Sequence, residues 1–347
     1  MALSEAQLRA RCSGFGGTDM VAICGESNYR GPIDVYLEKR HGLGLPIPTA
    51  PPSSFAGNER TDWGHILEPV IAQKYADDTG LHLVEPPMTF RHPELSWMLG
   101  TPDRLCYEEP PPLEPTDGPM VLDASTGAEL YLGNVLRIWE GKTHGMMAAK
   151  KYDLENMSVP DDKKIQVAWY RALTGIKEAE LSALIDTHLY RVFRIEHDQA
   201  VEDYLLEEAE LFWKKIQDGV EPEPDGTEMF SDYLKGRFAR QVDDMVEVDA
   251  ETLREIASYK VAKADKKVSV GKMDLAKQRI QLAIGHHQGL LLPTGKPAVT
   301  WKRKASGSCS YAKLAAELRD EGKISDKRFD ELKDEYTGEP GRNFLVK

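Results

Sequence analysis

The triplet Glu140-Gly141-Lys142 closes an apolar run, Val135-Leu136-Arg137-Ile138-Trp139, and an aspartate, Asp103, follows a proline at the end of an earlier one. Strand alternation points Glu140 and Lys142 to the same face, while Gly141 lets its own carbonyl approach a ligand closely. If Asp103 converges on that face, two carboxylates, a lysine and a backbone carbonyl make a hard oxygen site for a magnesium-like cation. An ammonium then stands beside the water that the cation activates. Phosphodiester hydrolysis needs such a set, because the metal lowers the pKa of the attacking water and stabilises charge on the pentacoordinate phosphate while the lysine orients that water. Taken alone, an ExK triplet with a Pro-Asp upstream also reads as surface charge.

The elements that must position these residues follow from periodicity and punctuation. Thr18 and Asp19 stand where an N-cap should, before Met20-Val21-Ala22-Ile23 and a stop at Gly25, and a second helix opens at Pro32. From Thr61 to Thr79, Trp63, Ile66, Leu67, Val70, Ile71 and Tyr75 recur at helical spacing, with Gly80 as the stop; this helix carries Glu68. Short extended runs follow at 82–84, 97–99 and 135–139, broken by proline-rich turns such as 108–115. Helices at Ile165–Leu173 and Tyr204–Ile216 then flank strands at Leu181–Ile185 and Tyr190–Ile195, which gives an α/β sheet covered by helices. Beyond it come a long helical pattern from Leu253 to Ile284, a hairpin at 290–301 and a last helix near 315–318.

A chain of 347 residues holds one large domain or two ordinary ones, and 41% hydrophobic with 29% charged residues excludes a disordered or fibrous chain. The prolines and acids of Gly219–Gly226 place a domain boundary at 225/226, dividing residues 1–225 from 226–347. A formal net charge of −13 argues on its face against a nonspecific grip on nucleic acid. That average is uneven: residues 251–347 hold 20 Lys+Arg and 13 Asp+Glu, a surplus of +7, which leaves −20 to residues 1–250. Four scattered cysteines without a CxxC pair suggest neither a zinc ribbon nor an iron–sulfur cluster. With no secretory signal and no apolar run of about 18 residues, no membrane association is expected and the chain should be soluble and cytoplasmic.

Thr101-Pro102-Asp103 followed by Glu140-Gly141-Lys142 has the form of the (T/P)PD…ExK signature and resembles the PD-(D/E)XK nuclease superfamily. Gly16-Gly17-Thr18-Asp19, then Trp63-Gly64-His65-Ile66-Leu67-Glu68-Pro69, then Ile165-Gln166-Val167-Ala168-Trp169-Tyr170, fall in the order of its YqaJ-type viral recombinase branch, which includes phage lambda exonuclease. The likeness spans residues 9 to about 225. It implies a PD-(D/E)XK core, a central mixed sheet flanked by helices, with a C-terminal helical and hairpin region added. It implies a Mg²⁺-dependent 5′-to-3′ exonuclease, with Mn²⁺ able to substitute, that acts on one strand of linear duplex DNA with 5′-phosphorylated ends. Phage recombination with a single-strand annealing protein, in the host cytoplasm, and a trimeric ring around DNA are implied with it.

Carried over by position, Asp103 and Glu140 are metal ligands with the Gly141 carbonyl, Lys142 partners the nucleophilic water, and Glu68 is an outer or second-metal carboxylate. Gln166 steadies the water or the scissile phosphate, and Arg11, seven residues before Thr18, binds the 5′-phosphate with the helix start. Lys150 or Lys151, close to the triplet, is expected on the DNA backbone, and Lys302-Arg303-Lys304 offers a further basic stretch. The 36 residues between Asp103 and Glu140 exceed a direct hairpin, so Val121–Asp123 and Glu129–Leu132 read as an inserted hairpin that leaves the two strands free to adjoin. Each residue also has a plainer reading. Glu68 reads as a solvated helix residue, Gln166 as a surface amide, Arg11 as exposed and idle, and Trp63, Trp169 and Tyr170 as core aromatics. His144 reads as a neighbour touching DNA or solvent. A PD-(D/E)XK endonuclease of restriction or repair type, and a noncatalytic DNA-binding scaffold, remain the alternative functions.

Overall fold

The computed structural model describes residues 11–49, 58–111, 117–145, 150–186, 188–240, 243, 245–303 and 310–336. The chain divides into two compact units, Met1–Phe238 and Ala239–Lys347.

The first unit opens with α1 (Gly17–Ile23), α2 (Pro32–Gly42) and α3 (Glu59–Thr79), followed by the strands β1 (His82–Val84), β2 (Phe90–Arg91), β3 (Leu99–Gly100), β4 (Arg104–Tyr107), β5 (Met120–Asp123), β6 (Glu129–Tyr131) and β7 (Arg137–His144). Next come α4 (Asp161–Thr174), β8 (Ala179–Ile185), β9 (Leu189–Arg194), α5 (Gln199–Asp218) and α6 (Glu228–Arg237). The central sheet runs β1-β4-β7-β8-β9, with β7 and β8 parallel and the other neighbours antiparallel. Helices lie on both of its faces, so the mixed α/β core expected from the resemblance is the fold observed. Period-two alternation sorts the two sides: Leu105 and Ile138 join the larger core, whereas Cys106 and Trp139 pack with Ile71, Ala72 and Tyr75 of α3.

The register of β4 on β7, Arg104 opposite Trp139 and Leu105 opposite Ile138, brings Asp103 beside Glu140. The intervening segment 120–131 does form a hairpin, β5 with β6, but it is drawn into a separate sheet ordered β3-β2-β5-β6 and leaves β4 and β7 adjoining. A long connection costs little extra closure entropy, so such an insertion is compatible with a tight pairing. The N-cap of α1 is Gly16 rather than Thr18 or Asp19; the Asp19 carboxylate, three residues on, accepts the Gly16 N–H at 3.0 Å and leaves Thr18 inside the first turn. Pro69 sits within α3 without ending it.

α6, which follows the proline-rich stretch and so lies past the boundary expected at 225/226, buries Phe230 and Tyr233 in the core of the first unit. The second unit contains α7 (Ala250–Ile284), a hairpin of β10 (Gly289–Leu291) and β11 (Pro297–Thr300), α8 (Tyr311–Asp320) and α9 (Asp326–Tyr336). The last of these has no counterpart in the sequence reading. Lys302 and Arg303 are exposed, and Lys304 lies outside the described residues. No helix among the described residues is long and apolar enough to cross a membrane.

Candidate active site

Asp103 ends the loop before β4, Glu140 and Lys142 share one face of β7, and Gln166 faces them from α4. That helix begins with Asp161 and Asp162 in its first turn, where the dipole favours acids, and stops at Gly175 with φ of 73°. Its buried stripe of Gln166, Val167, Trp169, Tyr170 and Leu173 holds the amide against the sheet.

The cluster is closely bonded. The Asp103 N–H donates to Glu140 Oε1 at 3.2 Å, and the Gly141 N–H donates to Asp103 Oδ2 at 2.9 Å. Lys142 Nζ lies between the carboxylates, 2.7 Å from Glu140 Oε2 and 3.4 Å from Asp103 Oδ2. Gln166 Nε2 reaches Glu140 Oε2 at 3.3 Å and Tyr170 Oη at 3.1 Å. Glu140 is fully buried, and that burial together with the neighbouring Asp103 pushes its carboxyl well above the usual carboxylate range against the pull of Lys142. Burial opposes the charge on Lys142, but Asp103 and Glu140 outweigh it and hold the ammonium above the ordinary lysine value.

Glu68 approaches from α3 on the other side of Gly141. Arg104 Nη1 holds it at 2.8 Å and also donates to the Asp103 carbonyl, so one guanidinium ties the α3 carboxylate to the Asp103 loop. Burial and Asp103 raise the Glu68 carboxyl, and Arg104 and Lys142 oppose the rise. Gly141 has a structural reason to be glycine that its sequence context did not reveal. A Cβ there would lie 2.7 Å from the buried Trp139 ring and 3.4 Å from Glu68 Cγ. Gly141→Ala should therefore lower stability by about 1–3 kcal/mol through overpacking, measured as a lower chemical-denaturation midpoint; an unchanged midpoint would show that the Trp139 side yields freely.

Among the described residues no three His, Cys, Asp or Glu side chains form a finished metal cage. The donor set nevertheless fits magnesium, which is bound by one or two carboxylates and keeps several waters. A dication beside Asp103 and Glu140 would also relieve the charge that burial makes costly at Glu140.

The other expected residues divide. Gly17 lies against Gln166, with a Cβ there meeting Gln166 Cγ at 3.0 Å, so the α1 N-terminus and the exposed Thr18 adjoin the cluster. Arg11 is half-buried and faces Asp19 electrostatically. Lys150 and Lys151 are exposed and line a groove with Tyr152, Leu154, Ile185 and Leu189, and no residue of the carboxylate cluster lines it. His144 pairs with the Tyr152 hydroxyl at 2.7 Å. Trp169 and Tyr170 are core aromatics as expected, but Trp63 is 55% exposed, because α3 packs on the sheet through Leu67, Ile71, Ala72 and Tyr75 further along.

Sequence reasoning missed two sets of residues. Arg104 directly follows Asp103, a position that could have marked it. The second is the buried set around Asp19, whose carboxylate binds Lys39 Nζ at 2.8 Å and Arg30 Nη1 at 2.9 Å; nothing local in the sequence signals it.

Residues 7–177 match the model of the YqaJ-like viral recombinase domain. The chain is 24% identical over 232 residues to the uncharacterized protein YqaJ of Bacillus subtilis (strain 168), an overlap of 66% of this chain and 61% of that protein. It thus spans about three fifths of the length of that relative. Solved structures similar to it include the alkaline exonuclease LHK-Exo of Laribacter hongkongensis in complex with dAMP, at 16% identity and a TM-score of 0.43, covering 68% of this chain and 98% of that one. A phage related exonuclease from Haemophilus somnus 129PT is similar at 13% identity and a TM-score of 0.37, covering 60% and 95%.

Proposed function

From the premise that residues 7–177 form a YqaJ-like viral recombinase domain, we propose that the chain is a divalent-cation-dependent deoxyribonuclease that digests one strand of linear duplex DNA from 5′-phosphorylated ends. The observation that carries this reading is the Lys142 ammonium set between Asp103 and Glu140, with the Gly141 backbone beside them. Asp103, Glu140 and the Gly141 carbonyl are the residues that would hold Mg²⁺ or Mn²⁺, with Glu68 behind them. Bound there, the cation supplies a nucleophilic water at neutral pH and charge stabilisation for the phosphate. Lys142 then serves to orient that water, and Gln166 fixes the buried Glu140 from the helix side.

Thr18 and the α1 N-terminus supply backbone donors for a terminal phosphate, with Arg11 as the cation. The exposed Trp63 fits the face of a terminal base. Trp63→Ala should weaken DNA binding by about 1–3 kcal/mol, the usual worth of one stacked base. Fluorescence anisotropy with 5′-phosphorylated duplex checks this, and unchanged affinity removes the stacking role. Lys150 and Lys151 continue the track as backbone contacts. A single-strand annealing protein as partner and a closed ring on DNA belong to the same reading.

The direct test is digestion of 5′-phosphorylated linear duplex beside covalently closed circles, with Mg²⁺ and with chelator. One shortened strand from linear DNA, intact circles and no reaction without the cation are the expected results. Cutting of circles would replace the reading with an endonuclease, and DNA binding without any cleavage would leave a scaffold.

A further inference from the structure

We propose that Arg104 is a positioning residue that serves as the fixed counter-ion of Glu68 and withholds that carboxylate from the divalent cation, leaving Asp103, Glu140 and the Gly141 carbonyl as the cation's protein donors. The inference rests on the cation site proposed above. Strand alternation puts the Glu68 and Glu140 carboxylates on opposite sides of the sheet. Glu140 and Lys142 face α4, from which Gln166 reaches Glu140. Arg104 shares its side of β4 with Cys106, which packs with Trp139 against α3, and a Cβ on Gly141 would point the same way, toward Trp139 and Glu68 Cγ. Glu68 thus stands behind β7, on the α3 side, with Glu140 in front.

Arg104 is buried, and its Nη1 donates both to Glu68 Oε1 at 2.8 Å and to the Asp103 carbonyl, while its Nη2 lies 3.6 Å from Oε2 of the exposed Glu85. A guanidinium keeps its charge at every working pH, and its planar fork serves several acceptors at once. Glu68 is therefore neutralised from behind the sheet whatever binds in front. The charge on the two sides differs accordingly. Asp103 and Glu140 share the single ammonium of Lys142 and retain a net negative charge, whereas Glu68 has Arg104 as its partner at hydrogen-bond distance. The unbalanced charge that draws a dication lies at Asp103 and Glu140. Among the described residues Glu68 does not close with those two as a three-carboxylate cage, which agrees with its being committed to Arg104.

The test titrates Mn²⁺ into the full chain without DNA and reads free Mn²⁺ by electron paramagnetic resonance. An adjacent opposite charge changes a carboxylate's proton affinity by roughly 10- to 1,000-fold, and a dication responds in the same direction. Arg104→Gln, which releases Glu68, should therefore lower the Mn²⁺ dissociation constant by about 10-fold or more. Arg104→Lys keeps the charge and should stay near wild type. Glu68→Gln should raise the constant, because Arg104 then repels the cation unopposed. The double variant Arg104→Gln/Glu68→Gln removes both charges of the pair and should return to the wild-type constant; since it strands neither partner, the comparison holds even where Arg104→Gln alone folds poorly. A double variant that binds as weakly as Glu68→Gln would make Glu68 a ligand and overturn the inference. Unaltered or weaker binding in Arg104→Gln, or Arg104→Lys behaving like Arg104→Gln, overturns it as well. Glu140→Gln tells this failure from failure of the site: Mn²⁺ binding that is lost in Glu140→Gln but indifferent to Arg104 removes this inference alone, and binding that Glu140→Gln leaves intact removes the cation site with it.

Discussion

Lys142→Ala should lower digestion of 5′-phosphorylated duplex by about 10³-fold or more, since a positioned proton-transfer group and preorganised charge are each worth roughly 10²–10⁴. Lys142 is the only cation within reach of both carboxylates among the described residues, 2.7 Å from one and 3.4 Å from the other. Removing it leaves two acids side by side, one of them fully buried, with Gln166 as the remaining donor to Glu140 Oε2. The same variant should therefore lose thermal stability without divalent cation and regain more on Mg²⁺ addition than wild type does. Glu140→Gln should abolish digestion equally while shrinking the Mg²⁺ response. Melting temperatures with and without Mg²⁺ separate these effects from unfolding. Undiminished digestion by Lys142→Ala and Glu140→Gln would remove this cluster as the active site, and an Mg²⁺ response unaltered in Glu140→Gln would remove that residue as a ligand.

The second large effect is structural. Asp19→Ala should destabilise the first unit by about 3–5 kcal/mol, the usual cost of stranding a buried charge. Asp19 and Lys39 are both fully buried, and among the described residues Lys39 has only the Arg11 carbonyl and Glu38 as other partners. Burial raises the Asp19 carboxyl, but Lys39, Arg30 and Arg11 outweigh it and hold the group well below the usual carboxylate range. A folded pKa below the unfolded 3.8 means that this stabilisation is present above about pH 4 and is lost as the pH falls through the folded value. Stability of wild type relative to Asp19→Asn should accordingly shrink below pH 4. Asp19→Ala/Lys39→Met should recover much of the loss, because no buried charge is then left without its main partner. Urea titrations of wild type, Asp19→Ala, Lys39→Met and the double variant measure the cycle, and additive losses in the double variant would show that the pair is not coupled.

Legibility differed by the range of the interaction. Asp103, Glu140 and Lys142 were readable because strand alternation and a short motif are local, and two residues on one strand must share a face. The helices from Pro32 and over Thr61–Thr79, Ile165–Leu173 and Tyr204–Ile216 were readable from their periodicity, with Gly80 as a stop, whereas the last three begin earlier in the structure, at Glu59, Asp161 and Gln199. Trp63 was misread because an apolar stripe on α3 says which residues can be buried and not how far along the helix the sheet extends. The Gly16 cap was misread because an aspartate at the third helical position serves the same end as one at the cap itself.

By itself the sequence determined which residues of β7 share a face, the helix that carries Gln166, and a second region of opposite charge to the first. Tertiary structure alone decided that β4 and β7 pair although 36 residues separate Asp103 from Glu140, that Arg104 claims Glu68, and that Asp19 is neutralised by Lys39 and Arg30. These are pairings between distant residues. They depend on strand register and on which buried charge finds a partner, and neither is encoded in the spacing of residues along one element.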